Sequence, residues 1–220
     1  MGKYLFRRRF RRVLIDIQTQ YDLIYGNGHD HKEILHKIRR IMAWSRVHNV
    51  PIISIALAKT PDICEDDICV EGTPGQKKIR YTMLPCHKTF CPESCTDIPE
   101  NILREYRQII FNIRENDPFA LPRADRLLTN LKADEFVLFG IGLNDVMKYT
   151  ALGLLKRDKK VSILSDAIDF SENDIEDEMT ARKLAAKGAD YIETASITGE
   201  SKLCGPSVHP EPWRDMALTR

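Results

Sequence analysis

EFVLFGIGLNDVMKYTALGLLKRDKKVSILSDA, Glu135 to Ala167, decides how the rest of the chain is read. It opens with an apolar run that suits a buried strand, fourth in the chain. A glycine turn at Gly140 and Gly142 follows. Asn144 is placed to cap a helix that runs to Arg157, and KKVSILSDA is a second apolar run, the fifth strand. Strand, tight turn, helix and strand in that order make a parallel βαβ unit. The turn offers Asn144, Asp145, Val146 and Met147, but no Cys, Ser or Thr that could act as a nucleophile.

Outward from this unit the alternation continues. A first strand lies near Val13–Ile17, and Lys32 to His48 carries a helical stripe of Ile34, Leu35, Ile38, Ile41, Met42 and Trp44. Asn49 and Pro51 end that helix, and Pro51–Leu57 is a second apolar strand. Gln108–Ile113 is the third. Pro122 opens a short helix through Leu131, where a first-turn proline is tolerated. Asp174 to Lys187 is a further helix, stopped by Gly188, and ADYIETA gives a sixth strand. Continuous apolar strands alternating with helices predict a three-layer α/β fold, a Rossmann-like parallel six-stranded sheet with helices on both faces.

At 220 residues, the chain is read as one domain over residues 1–220, with its core at about 12–195. Thr60 to Asn101 is an irregular insertion dense in Cys, Pro, Asp and Thr, long enough to be functional or disordered. The tail, residues 201–220, carries three prolines and is expected to lie across the surface or a neighbouring subunit. Net charge is +1, so no global field singles out nucleic acid, and no nucleic-acid partner is expected. The basic run Lys3–Arg12 reads as a solvated arm, with phosphate binding as the second reading. No apolar run reaches the roughly 20 residues of a membrane span, and no signal peptide is evident; a cytoplasmic location without a membrane partner is expected.

Cytoplasm keeps thiols reduced, so six cysteines call for core, metal or reactive roles before disulfides. Cys86, His87, Cys91 and Cys95 fall within ten residues and form a candidate zinc site, although C-x4-C-x3-C is not the C-x2-C spacing of a zinc knuckle. Surface or buried free thiols are the plainer reading. The histidines of Gly28–His31 read as exposed loop residues.

Several pieces, in order, resemble the isochorismatase-like proteins, the cysteine hydrolase superfamily. They are VLIDIQTQY near residue 16, CVEGTPGQ at Cys69–Gln76, FNIRENDPF ending in Phe119, and Gly140–Ala167 with Thr150-Ala151 and Asp166-Ala167. The resemblance implies the family's fold and a catalytic Asp, Lys and Cys, with thiolate attack on a carbonyl and backbone N–H groups holding the oxyanion. Asp16 matches the aspartate. Aligned on Phe119, the lysine's place falls on Ile113; aligned on Gly140 and Thr150-Ala151, the cysteine's falls on Val146. No Lys occurs between Lys88 and Lys132, and no Cys between Cys95 and Cys204. The Asp-x-His-x-x-His metal pattern of the nicotinamidase branch is also missing, since Lys59-Thr-Pro-Asp-Ile-Cys follows the second strand.

The expected protein is therefore a family member with a degenerate triad that binds a small ligand or acts in an assembly, a homo-oligomer by analogy. No cofactor is required. The first alternative is an active hydrolase in which Asp16 is the general acid, with Arg114 supplying positive charge or Asp145 a second carboxylate. The second is a zinc-stabilised interaction module. Pocket residues would be Ile113, Arg114, Gly142, Asn144, Asp145 and Val146.

Overall fold

A computed structural model describes residues 9–26, 31–61, 68–93, 95–170 and 174–199. The tail at 201–220, most of the Lys3–Arg12 run, His29 and Cys64 lie outside the described residues. The sheet is parallel throughout, with strands β1 (Arg9–Ile17), β2 (Ile52–Leu57), β3 (His87–Phe90), β4 (Gln108–Ile113), β5 (Lys132–Gly140), β6 (Val161–Ile168) and β7 (Asp190–Ile192) in the order β3-β4-β2-β1-β5-β6-β7.

The helices are α1 (Tyr21–Tyr25), α2 (Lys32–His48), α3 (Ile102–Glu105), α4 (Pro122–Asn130), α5 (Lys148–Leu155), α6 (Ile175–Ala186) and α7 (Thr194–Thr198). Right-handed crossovers put α2 on one face of the sheet and α4, α5 and α6 on the other. The buried clusters follow that division. Leu14, Ile52, Val137 and Phe139 pack with α2 through Leu35, Ile38, Ile41 and Met42. Ile15, Ile17, Ile53, Phe111 and Leu138 pack with α4 and α5 through Leu127, Leu128, Ala151 and Leu154.

The six expected strands are present, and a seventh, β3, lies inside the segment expected to be irregular. His87–Phe90 has only Phe90 buried, so it shows no strand pattern; its ladder to β4 at the sheet edge makes it a strand. Two boundaries follow from local chemistry. Asn49 takes the left-handed conformation (φ 55°) that closes α2, and Asp174 accepts from Glu176 N–H as the cap of α6. The expected cap at Asn144 is not made: its side-chain amide donates to Asp177 on α6 instead.

Candidate functional site

The strand order reverses at β1, with β2 on one side and β5 on the other, so the switch-point crevice lies beyond the C-terminal ends of β1 and β5. Gly140 and Gly142 sit there with φ of 129° and 78°. A Cβ at Gly140 would stand 2.0 Å from Ile17 O, and one at Gly142 would stand 2.2 Å from Gln18 Oε1. Gln18, itself at φ 53° and 3% exposed, therefore fills the space against Gly142. The chain then forms one π-helical turn, Leu143–Met147, broken at Asp145 (φ −104°, ψ −117°) before α5 begins.

Val146 is fully buried in the α4/α5-side cluster, and Ile113 at 2% exposure belongs to the same cluster. Thr150 Oγ donates to Val146 O at 2.6 Å, an internal role for that threonine. Asp145 is exposed and accepts from Asn116 Nδ2 at 3.2 Å. Arg114 is exposed and reaches Glu71 at 3.7 Å. Ile113 and Arg114 line a pocket of about 160 Å³ beyond β4, with Glu93, Asp117 and Leu121 among its other walls.

Asp16 belongs to the other side. Side chains alternate along a strand, so Asp16 shares the α2 face with Leu14 rather than the face of Ile15 and Ile17. None of its surface is exposed. Oδ1 accepts from Thr19 Oγ at 2.8 Å; Oδ2 accepts from Ser54 Oγ at 2.9 Å and Lys78 Nζ at 2.7 Å. The network continues inward. Lys78 also donates to Thr19 Oγ at 2.5 Å, and Gln108 Nε2 donates to Ser54 Oγ and Thr82 O, both at 2.8 Å. Gln108 Oε1 accepts from Leu84 N–H at 2.6 Å.

Lys78 is the residue sequence reasoning missed. It reaches Asp16 because the stretch after β1 runs antiparallel to residues 77–79: Tyr21 N–H donates to Lys77 O, and Ile79 N–H to Thr19 O. Gln20 secures that pairing through bonds to Leu57 O, Leu57 N–H and Gln76 O. The CVEGTPGQ segment turns against α1, where the Asp22 carboxylate accepts from Cys69 N–H at 2.8 Å. A Cβ on Gly75 would overlap that carboxylate. Burial pushes the Lys78 amine below its ordinary pKa, with the Asp16 charge acting against that shift.

The four candidate zinc ligands do not gather. Cys86 Sγ donates to Glu105 O at 3.0 Å, His87 Nδ1 lies 2.6 Å from Leu84 O, and Cys95 Sγ accepts from Asp97 N–H. Among the described residues, no group of three or more His, Cys, Asp or Glu side chains is placed to hold a metal ion.

The family model described as "Isochorismatase domain" matches residues 12–196. The chain belongs to the isochorismatase family. Among curated proteins none matches its sequence. Among solved structures, N-carbamoylsarcosine amidase from Thermoplasma acidophilum is similar at a TM-score of 0.63 and 14% identity, covering 88% of this chain and 99% of that one. Nicotinamidase PncA from Bacillus subtilis aligns at 0.64 and 14%, covering 84% and 100%. MAR1 ribonuclease from Caenorhabditis elegans aligns at 0.58 and 18%, covering 95% and 90%. At these identities the likeness shows the isochorismatase-like fold, a single parallel sheet with helices around it.

Proposed function

We propose that this isochorismatase-family chain does not run a covalent cysteine reaction and keeps the fold to bind a small ligand or to take a place in an assembly. One observation carries the reading: the aspartate is sealed on one face of the sheet, while the matched lysine and cysteine places are apolar core on the other. Valine has no lone pair with which to attack. The general-acid alternative needs an Asp16 oxygen turned toward substrate. Both oxygens already accept from Lys78, Thr19 or Ser54, and no part of the residue is exposed. Arg114, the candidate positive charge, points to Glu71 instead. A small ligand would enter the pocket beyond β4 that Ile113 and Arg114 line.

Assays of the purified protein with nicotinamide, a carbamoyl amide and isochorismate test this reading. The expected result is no turnover above the uncatalysed rate; turnover of any of them overturns it. Sedimentation of the same sample tests the assembly role, with a species larger than one chain expected.

A further inference from the structure

The helix α6 is packed on one side only. Thr180 and Leu184 are buried, Leu184 in the α4/α5-side cluster, and Asp177 accepts from the Asn144 amide, so these residues mark its inner face. The opposite face carries Ile175, Met179, Arg182 and Ala186, which at steps of four, three and four form one exposed stripe. Ile175 is 75% exposed and Met179 65%, whereas exposed Tyr21, Tyr25 and Tyr149 stand at 42%, 43% and 43%. A lone exposed apolar side chain is ordinary on a protein surface. Two large ones a single turn apart, on a helix dominated by charge, form a patch that calls for a partner.

Charge along α6 is segregated. Its first turn holds Glu176, Asp177 and Glu178, while Arg182, Lys183 and Lys187 stand toward the other end. The helix dipole favours that order, but it does not account for Ile175 and Met179 on the outer face. Among the described residues, the side chains of Glu176, Lys183 and Lys187 have no ion-pair partner.

We infer that this stripe is the contact between two copies of the chain, related by a two-fold axis with their α6 helices antiparallel. An axis between residues 180 and 181 sets Ile175 against Ala186 of the second copy, and Met179 against the aliphatic stem of its Arg182. Glu176 then meets the turn that carries Lys183 and Lys187 of the second copy. Glu178 meets its Arg182, the residue with which Glu178 already pairs inside one chain. A parallel pair would set acid on acid, so the charge order selects the antiparallel one. Spanning roughly 18 Å, α6 offers a face at the small end of interface sizes, so the dimer should be weak, with a dissociation constant in the micromolar range. The inference rests on the assembly part of the reading above and names its interface.

Sedimentation equilibrium of the full-length protein over a concentration series tests it, and a monomer–dimer equilibrium is expected. Ile175→Gln combined with Met179→Gln should weaken association roughly tenfold or more, because each substitution counts twice across the axis. Glu176→Lys should weaken it about fivefold by setting like charges together. Adding Lys183→Glu and Lys187→Glu to that variant restores opposite charges across the axis. Association should then return to within about threefold of wild type. Val47→Gln, which removes an equally exposed apolar side chain from α2, should change nothing. Circular dichroism confirms that each variant is folded. A wild type that stays monomeric at every concentration overturns this inference and the assembly reading with it. An assembly that persists unchanged in the Ile175→Gln, Met179→Gln variant overturns the inference alone. So does a triple charge reversal that fails to recover association, or an equal loss in Val47→Gln.

Discussion

The two faces of the sheet near the C-terminal ends of β1 and β4 differ in kind. On the α2 face a carboxylate, an ammonium, three hydroxyls and a carboxamide satisfy one another with almost no solvent contact. On the α4/α5 face the corresponding layer is hydrocarbon, with Ile113 and Val146 among the packed residues. The first arrangement is cooperative, because each polar group depends on its neighbours for compensation in a region that water does not reach. The second is forgiving, because apolar groups of similar volume replace one another at modest cost. An aspartate sealed in such a network thus marks the face where a substitution is most disruptive, whether or not it performs chemistry.

The largest effect should come from breaking the polar face. Asp16→Ala leaves the Lys78 ammonium buried without its counter-charge and is expected to destabilise the fold by about 3–5 kcal/mol in denaturant titrations. Adding Lys78→Met should recover part of that loss, because the uncompensated charge is removed with its partner. A double variant that shows the full sum of the two single losses would mean that the ion pair is not the coupling element. On the apolar face, Val146→Ala removes two buried carbons and should cost about 2 kcal/mol, with Asp16 and its partners unaffected.

How much of this was legible in sequence depends on the range of the interaction. The βαβ unit of β5, α5 and β6 was readable because apolar runs and a glycine turn are local signals. The bounds of α2 were readable to the residue because Asn49 and Pro51 act at the helix end itself. The assignment of Asp16 to a face was not. In a strand as apolar as VLIDI, no polar alternation tells which side meets which helix layer. Lys78 was hidden for a related reason: an antiparallel pairing across some sixty residues carries it to Asp16, and nothing periodic announces that pairing. The resemblance to the family gave matching positions along the chain, and those positions separate onto opposite faces once the chain is folded.

A third effect is smaller and disappears in acid. Asp166, from the family-like Asp-Ala pair, accepts from Thr194 N–H and Thr194 Oγ, both at 2.8 Å, and pairs with Lys37 Nζ at 2.9 Å. Burial alone would raise its pKa, but the Lys37 and Thr194 bonds outweigh burial and hold it below the ordinary 3.8. Its contribution is therefore complete above about pH 3.8 and lost as pH falls through the folded-state value. Asp166→Asn should be less stable than wild type near neutrality, with the gap closing below that pH. Thermal melts at stepped pH measure it, and a constant gap would show that Asp166 acts by shape rather than charge.

The smallest structural effect, and the sharpest test of the comparison, is Val146→Cys. A thiol is close to valine in volume and suits an apolar site, so stability should fall by less than about 1.5 kcal/mol. That corresponds to a melting shift of a few degrees for a chain of this size. With position 146 at 0% exposure, the new thiol should resist alkylation in the native protein and react only after unfolding. Hydrolase activity should not appear, because Asp16, the acid that the resemblance assigns to catalysis, is bound to Lys78, Ser54 and Thr19 across the sheet. Native-state alkylation together with hydrolysis of a family substrate would mean that position 146 opens toward the crevice and that the two faces communicate. Slow alkylation without hydrolysis would leave the division between a polar scaffold and an apolar core as the property that distinguishes this chain.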